Sequence, residues 1–320
     1  MSAPSLRIVF FGTPEFAVPT LQALLASRHP VVGVVTQPDR PRGRGQHVQD
    51  GPVKACAVAA GLPVLQPPTL KTPEFLEALT ALQADLGVVA AYGRILSEQV
   101  IWTPRLGMIN VHASLLPRYR GAAPIHRAVA AGDVETGVTI MRVVKALDAG
   151  AMLATVHRPI GPDDTSEAVE EDLARLGGHL LVETVDRLAA GPIVEAPQDD
   201  SLATYAHRLT KEDGRIDWTR PARAIHDQIR GMRPWPNAYS YVGGKRLILL
   251  RSGWSGSPVS SSSRAPGTIV SAGADGITIA TGDGLLVVRE LQAEGKRPMQ
   301  ARDFLAGHHL TAGEQFTPAP

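Results

Sequence analysis

Asn110 and His112 stand two positions apart in the stretch NVHASLLPRYRG, residues 110–121, where an apolar run breaks into polar, proline and glycine residues. On an extended chain, side chains two apart point to the same face. A carboxamide donor beside an imidazole could hold the oxyanion that develops when a carbonyl carbon is attacked. Such chemistry also needs a carboxylate to orient the imidazole or relay a proton. Asp148, in KALDAG (145–150), follows His112 by 36 positions at a glycine-containing loop. Taken alone, the same residues also fit a satisfied structural histidine and a turn aspartate bonding its own backbone.

The elements that would position them are legible as apolar runs. LRIVFF (6–11), VVGVVT (31–36), LGVVAAY (86–92) and GMINVH (107–112) have strand length, with helix-like segments at 14–27, 54–60 and 73–83 between them. Near-continuous apolar strands alternating with helices predict a Rossmann-like α/β domain with a parallel sheet. In such sheets ligands bind outside the C-terminal strand ends, where residues 110–121 fall. Further strands follow at 137–144 and 151–160, and capping residues with three- and four-residue apolar spacing predict one long helix over 163–191. A stretch of linker composition comes next, then a helix at 221–232 and five short, glycine-punctuated strands between 238 and 292. These predict a small β-barrel of OB-like type. The expected division is a catalytic domain over 1–190, a linker over 191–203 and a barrel over 204–314. The Ser/Pro-rich stretch 255–266 reads as a flexible loop without chemistry.

Composition narrows the classes. The chain has 320 residues, 44% hydrophobic and 20% charged, with one cysteine, so an internal disulfide framework is excluded. Residues 201–320 carry net +5 and residues 1–200 net −4, which permits a polyanionic partner for the C-terminal part and equally an ordinary solvated surface. The N-terminus lacks the basic and apolar regions of a signal peptide, and no apolar run has membrane-spanning length, so a soluble, cytoplasmic protein is expected. Gly12-Thr13-Pro14-Glu15-Phe16-Ala17 lacks the second and third glycines of a dinucleotide fingerprint, which argues against nicotinamide chemistry. No histidine and carboxylate grouping has ligand spacing, so no metal requirement is expected.

The segments FGTPEFA (11–17), TQPDRPRGRG (36–45), NVHASLLPRYRGAAPI (110–125), ETGVTIM (135–141), LDAG (147–150) and PWPNAY (234–239) resemble the methionyl-tRNA formyltransferase family. The Asn-x-His, SLLP and Asp core is shared by folate-dependent formyltransferases generally. The arginine loop and the PWP-bearing C-terminal part resemble the tRNA enzymes in particular. The resemblance implies an enzyme that transfers formyl from 10-formyltetrahydrofolate to the α-amino group of methionine on charged initiator tRNA, a monomer being sufficient. It assigns catalysis to Asn110, His112 and Asp148, and folate contact to Ser114, Leu115, Leu116 and Pro117. It also gives the loop bearing Arg40, Arg42 and Arg44 a role on the tRNA. Lys211, Lys245, Arg246 and Lys296 are candidate tRNA contacts if the barrel gathers them on one side. A formyltransferase for an amino sugar nucleotide or another small amine would share the trio without needing the arginine loop or the basic barrel. An RNA-binding adaptor without catalysis, or a formyl-folate hydrolase, would leave the polar trio or the C-terminal part unexplained.

Overall fold

Ile8, Val9, Phe10 and Phe11 are all fully buried, as are Val34, Val35, Val88 and Ile109. A strand that is apolar on both faces must be covered on both faces, the condition of a central strand in a parallel sheet. In the computed structural model, which describes residues 4–39, 41–42, 47–255 and 264–319, these runs lie in one sheet. The chain divides into two compact units, neither contiguous in sequence. The first comprises Met1–Pro124, Glu135–Pro159 and Glu170–Ala206; the second comprises Ile125–Val134, Ile160–Val169 and His207–Pro320.

The sheet of the first unit contains β1 (Ile8–Gly12), β2 (Val31–Val35), β3 (Val64–Leu65), β4 (Leu86–Ala90), β5 (Met108–His112), β6 (Glu135–Arg142) and β7 (Met152–Pro159). Their order is β7-β6-β5-β4-β1-β2-β3. β1 to β5 are mutually parallel, and the order turns back at β1, which lies between β2 and β4. This is the Rossmann-like arrangement, with its crevice at the C-terminal ends of β1 and β4. One strand departs from the expected parallel sheet: β6 runs antiparallel to both of its neighbours, β5 and β7. Parallel neighbours need a crossover of about a dozen residues or more, and the 143–151 loop between β6 and β7 allows only a hairpin.

Helices α1 (Val18–Leu25), α2 (Pro52–Ala59) and α3 (Pro73–Ala81) connect the parallel strands. Each has proline in its first turn, where a missing N–H costs nothing. α3 is also capped by Thr72, whose hydroxyl accepts from the Phe75 N–H. The short helix α4 (Pro124–Ala131) has no counterpart in the sequence reading, whereas the long α5 (Ser166–Ala190) does.

The second unit holds an antiparallel sheet of β8 (Ala238–Val242), β9 (Lys245–Ser255), β10 (Ile269–Gly273), β11 (Gly276–Ala280), β12 (Leu285–Ala293) and β13 (Phe316–Thr317). The order β10-β11-β12-β9-β8-β13 curls until its ends meet. Ile269 N–H bonds the Glu314 carbonyl, and Phe316 N–H bonds that of Gly267. Closure of this kind removes exposed sheet edges. Helix α6 (Ala222–Gly231) contributes Ile225 and Ile229 to the same core as Leu249, Val288 and Phe316. Residues 256–263 of the Ser/Pro-rich stretch lie outside the described residues.

Candidate active site

β5 ends at the C-terminal edge of the sheet and carries Asn110 and His112 on one face, opposite Met141 and Thr139 of β6. His112 is 5% exposed and Asn110 is half-buried. His112 Nε2 lies 3.0 Å from the Tyr119 carbonyl oxygen. A carbonyl only accepts, so Nε2 carries the proton and Nδ1 is the nitrogen left open in the neutral ring. Nδ1 lies 3.7 Å from Asp148 Oδ2. That is ion-pair range and longer than a hydrogen bond. The structure therefore brings the imidazole and the carboxylate together, from segments 36 positions apart, without bonding them directly.

Asp148 has a bond of its own: Oδ2 accepts from the Gly121 backbone N–H at 2.8 Å. Its backbone is left-handed at φ 47°, and that of Tyr119 is left-handed at φ 60°. Non-glycine residues adopt this region at a cost and cluster where a site holds them there. Gly150 completes the same loop. A Cβ there would collide with the Arg142 carbonyl, so the 143–151 turn can close tightly against β6 only with glycine.

Ser114, Leu115, Leu116 and Pro117 follow β5 as a loop folded back on β6. The Thr139 hydroxyl donates to the Ser114 carbonyl at 2.7 Å and accepts from the Leu116 N–H at 3.2 Å. Gly137 lies under the Leu115 side chain, where a Cβ would collide with it. Ser114 Oγ donates to the Arg118 carbonyl at 2.7 Å, which commits the hydroxyl to the loop itself. What this segment offers outward is the half-buried faces of Leu115 and Pro117.

At the crevice, Thr13 Oγ1 and Gln37 Nε2 both donate to the Tyr92 carbonyl, at 3.2 and 2.8 Å, tying together the segments that follow β1, β2 and β4. Lys54 pairs with Asp39 at 2.5 Å and Asp50 at 2.7 Å, so it braces the base of the arginine loop. The Lys54 bond holds the Asp39 carboxyl below its ordinary range, and Gln66 adds to this. Of the loop arginines, Arg42 lies in a two-residue strand, Pro41–Arg42, paired with His47–Val48. Arg40 and Arg44 lie outside the described residues.

In the second unit, Lys245 and Arg246 begin β9. Leu247 lies opposite Ala293, so the turn carrying Lys296 is at the same end of the barrel. The Arg246 guanidinium stacks over the Tyr239 ring at 4.0 Å. Lys211 opens a 3-10 turn, Lys211–Gly214, and is exposed. Arg215, just after that turn, bridges Tyr239.

Two residues without a part in the sequence reading of the site belong to its surroundings: Gln198, in the stretch read as linker, and the buried Arg120. The one signal available in the sequence was an arginine soon after a polar strand end, within RYRG.

Residues 6–185 match the family model described as "Formyl transferase", and residues 208–309 match "Formyl transferase, C-terminal domain". Fold and sequence together thus define the class, a formyltransferase with an appended barrel. The chain is 51% identical to a methionyl-tRNA formyltransferase of Citrifermentans bemidjiense, over 96% of this chain and 95% of that one. It is 49% identical to one of Trichlorobacter lovleyi, over 98% and 97%. With these relatives, it belongs to the methionyl-tRNA formyltransferase family. Among solved structures, an N-formyltransferase from Helicobacter canadensis, in complex with folinic acid and dTDP-3-aminofucose, superposes with TM-score 0.68. That match has 17% identity and covers 90% of this chain and 99% of that one, a likeness of fold alone.

Proposed function

We propose that this enzyme transfers the formyl group of 10-formyltetrahydrofolate to the α-amino group of methionine esterified to initiator tRNA, for translation initiation, with Asn110, His112 and Asp148 as catalytic residues. The observation that carries the reading is their convergence at one strand end, in a chain alike to these enzymes across both units.

The attacking amine needs a free lone pair, and the leaving N10 nitrogen needs a proton. His112 Nδ1, with Asp148 beside it, takes the proton lost by the amine as the nitrogen–carbon bond forms. The imidazolium so produced is stabilised by the carboxylate, donates to the oxyanion, and then gives its proton to N10 as the carbon–N10 bond breaks. The Asn110 carboxamide is the second donor to the oxyanion. Leu115 and Pro117 provide an apolar wall for the flat pterin, with Ser114 and Leu116 holding that wall's backbone in shape. Arg42, with Arg40 and Arg44, contacts the acceptor stem, and Lys211, Lys245, Arg246 and Lys296 contact further phosphates of the RNA.

The test mixes purified protein, 10-formyltetrahydrofolate and methionine-charged initiator tRNA, with free methionine, uncharged tRNA and an amino sugar nucleotide as alternative acceptors. Formyl transfer to the charged tRNA alone is expected. Transfer to a small amine at comparable kcat/KM, or release of formate alone, would overturn the reading.

A further inference from the structure

The carboxylate loop is not held by His112. Its anchor is Gln198, whose side-chain Nε2 donates to the carbonyls of Asp148 and Gly150, each at 2.8 Å. Its Oε1 accepts from Arg120 Nε at 3.0 Å and from Nη2 at 2.8 Å. All four hydrogen-bonding positions of the amide are used, and turning it over would set acceptor against acceptor and donor against donor. Arg120 is 4% exposed, and Nη2 also bonds Asp200 Oδ1 at 2.7 Å, which balances the buried charge.

The segment that carries Arg120 is itself fixed. Its N–H bonds the Thr204 carbonyl at 2.8 Å, and the Tyr119 N–H bonds Thr204 Oγ1 at 2.9 Å. Arg120–Gly121 pairs in parallel with Tyr205–Ala206. Tyr119 supplies the carbonyl that orients His112, and Gly121 supplies the N–H that orients Asp148. One short segment therefore touches both catalytic groups, and Gln198 couples it to the loop from which Asp148 projects.

We propose that Gln198, oriented by Arg120, is a positioning residue that fixes the Asp148 carboxylate against His112 for the transfer step. This rests on the proposed role of Asp148. Asp148 occupies a left-handed backbone, so without the two carbonyl anchors the loop relaxes and the carboxylate moves. Misplacement of a catalytic group by about 1 Å can cost on the order of 10²-fold in rate.

The experiment compares Gln198→Ala, Gln198→Glu, Asp148→Asn and the double variant Gln198→Glu/Asp148→Asn. It reads kcat, KM for both substrates and the thermal midpoint. Gln198→Glu keeps the volume and the Arg120 pairing but turns both donors into acceptors and adds a negative charge, whereas Gln198→Ala removes the donors without adding one, so a loss common to both reports the anchoring. Expected are losses of about 10- to 100-fold in kcat for both Gln198 variants at temperatures where each is fully folded, with each KM within about twofold and a midpoint lowered by the polar groups left unpaired. In the Asp148→Asn background, Gln198→Glu should add little, because residues that act as a unit are non-additive. Wild-type kcat in Gln198→Glu, a loss confined to KM or midpoint, or losses that multiply in the double variant would overturn the positioning role while leaving Asp148 in place. Wild-type turnover in Asp148→Asn would instead remove the reading on which the role rests.

Discussion

An imidazole with one nitrogen committed to a carbonyl has only the other left for a substrate proton, and the 3.0 Å bond from His112 Nε2 to the Tyr119 carbonyl makes Nδ1 that nitrogen. Asp148 lies on the Nδ1 side at 3.7 Å, a spacing that can shorten when charge develops on the ring. In the proposed mechanism Asn110, two positions back on the same strand, is the second donor to the oxyanion. The Asn110→Ala enzyme is expected to fold normally and to lose about 10²–10³ in kcat, the usual cost of one oxyanion donor. Steady-state kinetics beside circular dichroism check this, and near-wild-type turnover in a folded Asn110→Ala protein would refute the role.

β6 does more for the site than its antiparallel direction suggests. Thr139 satisfies both the Ser114 carbonyl and the Leu116 N–H with one hydroxyl, and all three residues are buried. Thr139→Val conserves shape but strands a buried donor and acceptor, so it should destabilise by about 1–3 kcal/mol and raise the folate KM. Chemical denaturation and folate titration read the two effects separately. Gly150→Ala acts on the neighbouring loop. With no room beside the Arg142 carbonyl, the loop must shift, and a fall in kcat larger than any change in the tRNA KM is expected.

Charge and protonation act over the whole molecule. Lys245 and Arg246 share one end of the barrel with the turn carrying Lys296, the placement that the proposed tRNA contacts require. Changing Lys211, Lys245 and Lys296 together to Glu should weaken tRNA binding and flatten its dependence on salt, by about 0.7–0.9 in logarithmic slope for each phosphate no longer neutralised. The folate KM should not move. Protonation acts through the fold itself. Burial pushes the His126 pKa below the ordinary 6.5, the Arg127 guanidinium acts the same way, and a bond with the Arg233 backbone works against them. The folded state therefore holds this ring neutral while the unfolded chain takes up a proton, so stability should decline as pH falls below about 6.5 and continue declining until the folded-state value is passed. Denaturant midpoints between about pH 8 and pH 5 measure the decline, which should be shallower in His126→Asn.

How much of this was legible in advance depends on whether the information is local. Apolar runs of strand length, helical spacing and proline or glycine punctuation are short-range, and they marked β1, β2, β4, β5, α5 and five barrel strands close to their observed bounds. Asn110 and His112 were legible together because two-residue periodicity alone puts them on one face. The reversed direction of β6, the closure of the barrel by residues 313–317, and the proximity of Asp148 to His112 depend on which distant segments pair, and no local pattern carries that. Gln198 shows the limit most clearly. Its neighbours Pro197, Asp199 and Asp200 give it the composition of a linker, yet its amide is fully bonded between two loops of the site. The chain's chemistry and its elements were set by residue type and spacing, since these act through the backbone nearby. Which groups share hydrogen bonds across 50 or 80 positions was decided only when the packed core brought them within about 3 Å of each other.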